Sequence, residues 1–229
     1  MFILILQYPS IRSVVDMNEA LCSILSGEDE WCFDTEGRSI KFNRDGTGEL
    51  WCRCNFNYWI AVELEWRSIK PPRDPSQNVE ISSRVASAAQ HRSPQLLGQL
   101  NLKITLSKRL PQRVQSSILS KSTIINELSL EDDAFQPKSF TVRIEKGNFI
   151  EPCYIGYPNS DKPRFALRLL FDRSPYPPRS EWKMPEGGPD GGQFWDHIEF
   201  VSRPSPDLSK RGRAMNNVTT GEQNGCAVT

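Results

Sequence analysis

The chain has 229 residues, with 28 basic and 28 acidic side chains and no formal net charge. That balance gives no electrostatic ground for a nucleic-acid partner. Hydrophobic residues at 38% and aromatics at 10% exclude wholesale disorder. Fourteen Gly and 17 Pro suit a loop-rich β fold better than a helix bundle.

At the N-terminus, Phe2–Leu6 is apolar, but the run is too short for a signal peptide's core and has no basic residue before it. No stretch approaches the ~20 apolar residues of a membrane span. The chain therefore reads as cytoplasmic, or nuclear by diffusion, and not secreted. Residues 13–26 predict a short amphipathic helix, with Val14, Met17, Leu21 and Ile24/Leu25 on one stripe. Ser13 with Asp16 resembles a capping box, and Gly27 supplies a stop.

Strands follow. A short one is expected at Trp31–Asp34. Ile40 and Phe42 alternate with Lys41 and Asn43 ahead of a turn at Arg44-Asp45-Gly46-Thr47, where Asp-Gly is a hairpin signal. Leu50, Cys52, Cys54 and Phe56 then share one face, as do Ile60, Val62, Leu64 and Trp66. The pattern returns at Leu100–Leu106, Phe140–Ile144 and Phe165–Phe171, and ends with Ile198 and Phe200 set against His197 and Glu199. A period of two with one apolar and one charged face predicts an antiparallel sheet wetted on one side. Eight such strands predict a mainly β fold, an antiparallel eight-stranded barrel, with a β-sandwich as the alternative architecture. No internal repeat is present.

Three segments interrupt the alternation. Residues 70–97 and 112–134 read as long insertions, the first polar and mobile, the second Ser-rich with a poor helix across an opening. Residues 174–194 hold many Gly and Pro, yet Tyr176, Trp182, Phe194 and Trp195 predict a loop pinned to the body. Residues 1–203 then form one β domain, and 204–229 a disordered tail.

Chemical signals are sparse. Asn43–Gly48 fails as a calcium loop, because Lys41 and Cys52 stand where carboxylates are required. An even count of six cysteines invites disulfides, but without a secretory signal reduced buried thiols are expected. Cys52-Arg53-Cys54 has no matching ligand pair elsewhere, so no metal is expected. His197 shares a predicted strand face with Glu199, the one arrangement suggestive of a general base, but no nucleophile motif accompanies it. Glu63 and Glu65 read as a solvated face. Gly187–Gly192 lacks the Lys and hydroxyl of a phosphate loop. No cofactor and no catalytic residue is assigned. Cys226-Ala227-Val228-Thr229 has the C-a-a-X form of a lipidation signal at Cys226, with basic residues upstream, although Thr is not a usual last residue.

Gly27 and Trp31 before the first strand, with the hairpin Ile40–Gly48 after it, resemble the opening of lipocalin-like (calycin) barrels over about residues 27–67. In this chain three residues separate the Gly and the Trp. The stretch Phe171–Arg203, with Pro175-Tyr176-Pro177-Pro178 and Phe194-Trp195, is similar to an uncharacterised family of fungal proteins and implies no function. The first resemblance implies a small apolar molecule bound inside. The expected lining is Phe42, Cys52, Cys54, Val62, Leu64, Ile104, Val142, Leu167 and Leu169. The alternative is a filled-core protein-interaction module with an unspecified protein partner. An enzyme on the same fold, acting near His197 with Glu199 or Asp196, is the third reading.

Overall fold

A computed structural model describes residues 11–54, 57–70, 93–114, 125–157 and 162–206, without the side chains of residues 11–16, 54, 57 and 113. The chain opens with helix α1 (Ile11–Gly27) and continues through β1 (Trp31–Cys32), β2 (Arg38–Phe42), β3 (Thr47–Cys54), β4 (Asn57–Ile69) and β5 (Gln95–Leu106). A short helix α2 (Ile125–Ser129) precedes β6 (Lys138–Phe149), β7 (Phe165–Phe171) and β8 (Glu199–Pro204). Each strand pairs antiparallel with its neighbours in sequence, and β1 pairs with β8, so the sheet closes in a ring. Closure replaces the sandwich alternative.

The hairpin between β2 and β3 shows why this sequence turns there. Asn43 N–H donates to Thr47 O at 2.8 Å, and Gly46 N–H donates to Asn43 O at 3.2 Å. Gly46 takes φ +86°, where a side chain would be strained. Asp45 Oδ1 accepts from the Thr47 amide and hydroxyl at 2.9 and 2.6 Å.

In such a ring, the β1–β2, β3–β4, β5–β6 and β7–β8 connections lie at one end. The helix and the remaining connections lie at the other. From its end α1 sends Leu21 and Leu25 into the core cluster, and the Leu25 carbonyl accepts a hydrogen bond from Trp31 Nε1 at 3.0 Å. That bond satisfies a carbonyl the helix end leaves open. At the opposite end, the 172–198 connection inserts Tyr176, Trp182 and Phe194 into the same cluster. It forms short helical turns rather than an irregular loop, and its aromatics pin it to the body. Both mouths of the ring are stoppered by the chain itself.

The seam between β1 and β8 is short, with Cys32 facing Val201. Ser202 Oγ donates to Glu30 O at 2.7 Å, and Arg203 pairs with Glu28 across it.

Several expectations need correction. α1 begins at Ile11, so Ser13 lies inside it and is not its cap. Met17 is 58% exposed and leaves the expected stripe, of which Leu21 and Leu25 are buried and Ile24 partly covered, while the Val14 side chain lies outside the described residues. β1 stops at Cys32, because Asp34 is drawn into the turn that follows. β5 starts at Gln95, and between β5 and β6 lie α2 and short helical turns. β8 includes Pro204, and the Ser205 amide donates to Arg164 O at 2.7 Å. The rest of the tail, with Cys226, lies outside the described residues.

Candidate interaction surface

The nine residues expected to line a chamber all fall on ring strands. Of these, Phe42, Cys52, Val62, Leu64, Ile104, Val142, Leu167 and Leu169 are at most 3% exposed and belong to one continuous core. The Cys54 side chain lies outside the described residues. Trp31, Ile40, Leu50, Ile60, Leu102 and Ile144 are also fully buried in this core. A void of a few hundred Å³, the size of a small-molecule pocket, would leave its walls with surface open to water. These walls have almost none. These side chains pack against one another as members of the same cluster.

Among the described residues, Cys22, Cys32, Cys52 and Cys153 form no disulfide. Burial and neighbouring carboxylates push the Cys153 thiol up to about 11, so it is not an activated nucleophile. Among the described residues no group of His, Cys, Asp and Glu is arranged to hold a metal ion.

His197 differs from its expected place. It precedes β8, is buried, and stacks on Phe33 with ring centroids 3.7 Å apart and planes 14° from parallel. Ile198, expected inward, is 42% exposed instead. The helical turn Phe194–Asp196 ahead of the strand reverses the alternation here, since β8 begins only at Glu199. Glu199 is not a partner for His197. It pairs with Arg168, 3.0 Å away, and Arg168 also holds Glu145 at 2.6 Å. Desolvation, then the charge of Arg38, pull the His197 pKa down to about 4. The imidazole is therefore neutral at pH 7, and its Nδ1 is buried with no hydrogen-bond partner.

Asp34 anchors the β1–β2 turn nearby. Its Oδ1 accepts from the amides of Glu36, Gly37 and Arg38 at 3.0–3.1 Å, and its other oxygen accepts from Arg38 Nε. The turn is built around this carboxylate, which leaves Asp34 committed to structure. Burial and the Asp34 charge push the Glu151 carboxyl above the ordinary carboxylate range.

The outer face of β3 and β4 is organised differently. Thr47 faces Glu65 and Glu49 faces Glu63 across the strand pair. With the 43–47 hairpin at one end and Lys108–Gln112 and Glu127 at the other, these residues border an open groove of about 1070 Å³. Its wall holds five carboxylates (Asp45, Glu49, Glu63, Glu65 and Glu127) and two cations (Lys108 and Arg109), a formal charge of −3. Arg109 pairs with Glu63 at 2.7 Å, and Lys108 pairs with Asp132 at 2.9 Å. The groove is thus acidic on a chain with no net charge. Glu63 and Glu65 were legible as a wet face. The groove was not, because its far wall comes from residues more than 40 positions along the chain.

A clip fixes that far wall. β5 pairs with β4 only from Leu64 onward. Short of that point, Asn126 supplies the missing partner. Its Oδ1 accepts from Ala61 N–H at 3.0 Å, and its Nδ2 donates to Ala61 O at 2.7 Å. Asn126 and Ala61 have no exposed surface.

No protein family, no curated protein and no solved structure matches this chain.

Proposed function

We propose that this protein is a filled-core interaction module that docks a basic segment of a partner protein in the groove outside β3 and β4. The observation that carries this reading is the packed interior. Eight expected lining residues are at most 3% exposed, which favours a filled core over a chamber for a small apolar molecule. The same closed antiparallel ring with a helix stopper supports a lipocalin-like barrel as the fold type, with side chains occupying the volume that a ligand takes in such barrels. The groove supplies an accessible concave surface with a net negative charge. Complementary charge favours encounter and register with a Lys/Arg-rich segment.

The test is binding of a fluorescent Lys/Arg-rich peptide, followed by anisotropy at low and physiological salt. Binding should weaken with salt, and Glu65→Lys should weaken it by about tenfold, or about 1.4 kcal/mol. Glu65 is exposed and lies in the groove wall. Equal binding by the variant would remove the groove from the account.

A further inference from the structure

We propose that the 172–198 connection is a lid, latched by an uncharged His197, and that acidification opens this mouth of the ring. The proposal is independent of the groove and rests on where the imidazole sits.

His197 closes the connection just before β8. Its ring lies flat on Phe33, from the segment after β1, and packs with Tyr176 and Phe194 at centroid distances of 6.0 and 5.8 Å. Those two residues belong to the connection and are buried in the mouth. One imidazole therefore joins the end of the lid to the rim of the ring. Its Nδ1 is buried without a partner, so a proton added there gains no acceptor and its charge is cut off from water, which outweighs the hydrogen bond with the Gly192 backbone that favours the charged form.

The charged and titratable neighbours are few. Arg38, from β2, lies over the same Phe33 ring, with its guanidinium carbon 4.7 Å from the centroid. It opposes a second positive charge. Asp34, from the β1–β2 turn, favours one, but its oxygens are held by three amides and Arg38. Tyr176, from the lid itself, is held neutral by complete burial and donates its hydroxyl proton to Trp51 O at 2.7 Å. None of these neighbours accepts a proton from Nδ1. The charged imidazole is relieved by leaving the Phe33 stack. The turn that carries it then leaves too, because Ser174 Oγ and the His197 amide both bond Phe194 O. The strands carry no comparable buried imidazole, since the only other histidine of the chain is His91.

Opening is read on the full chain by hydrogen–deuterium exchange, corrected for intrinsic rate, and by uptake of the dye ANS. As the pH falls, residues 172–198 should lose protection and ANS should bind while the strands stay protected, with a midpoint near 4. His197→Phe keeps a ring on Phe33 and removes the titration, so its midpoint should fall by about one pH unit or more. Equal midpoints in the two proteins, or loss of protection in lid and strands together, would overturn the lid. A second readout needs no variant at this site. The His197 Cε1–H resonance, assigned with His91→Gln, should titrate in step with ANS uptake. A midpoint near 6.5 with the lid still protected would also overturn the proposal.

Discussion

Asn126 does at the scale of one side chain what a strand does elsewhere in the ring. Its amide presents a donor and an acceptor in the geometry of a ladder partner, and both reach Ala61. Replacing it with Ala leaves the Ala61 N–H and C=O buried without partners, and each unmet group costs about 1–3 kcal/mol. We expect Asn126→Ala to lower the urea-unfolding free energy by about 2–4 kcal/mol on that basis. Nothing in the sequence singles out this residue from the other polar side chains between 112 and 134, because its partner lies 65 positions away. His197 was misplaced for a related reason. Alternation extrapolated backwards from Phe200 puts His197 outside, and only the helical turn at Phe194–Asp196 reverses it. Its effect on stability has a definite sign. The ring titrates at about 4 in the fold against 6.5 as the reference value. Its neutral form is thus the one the fold accommodates. The stability linked to it is complete above pH 6.5 and is lost as pH falls from there through 4, by about 3 kcal/mol at 1.36 kcal/mol per pH unit. Urea midpoints of wild type and His197→Phe should converge at pH 7 and diverge below 6, with the variant the less acid-sensitive.

At the scale of elements, what was legible follows from periodicity. A strand with one face against a core must alternate, so Leu50–Cys52, Ile60–Leu64, Leu100–Leu106 and Phe140–Ile144 declare their inward sides directly. The Asp45-Gly46 turn is local chemistry and was equally readable. Exceptions arise where a second layer covers the outer face. Ala61 is buried under Asn126, and Val201, out of phase with Phe200, is buried in a small cluster with Phe149 and Phe165. Helix α1 shows the same limit. A stripe of four or five apolar positions fits the helical period, but the ring end accepts only part of it. Leu25→Ala should therefore cost about 2–4 kcal/mol, as for a fully enclosed leucine. Met17→Ala, from the same stripe, should fall within about 0.5 kcal/mol of wild type. A thermal melt of each variant separates the two. Equal losses would mean that α1 seats more of its face on the ring than Leu21 and Leu25.

At the scale of the whole molecule, closure and filling are separate properties. Closure was legible, because eight half-wet strands in one chain have few ways to avoid an open edge. Filling was not, because periodicity reports which side chains point inward and says nothing of the volume between them. The observation behind the proposed filling is that Trp31, Phe42, Phe194 and Phe200 are at most 1% exposed, and that α1 and the 172–198 connection send side chains into the same core from opposite ends. The central claim is that at neutral pH the interior is packed and the functional surface is outside. Native mass spectrometry of the protein isolated from its own cells, set beside the same sample denatured, tests it most directly. The account predicts that the folded chain, once separated from protein partners, has the mass of the denatured one. A small-molecule mass excess that vanishes on denaturation would contradict the packed interior and restore the chamber.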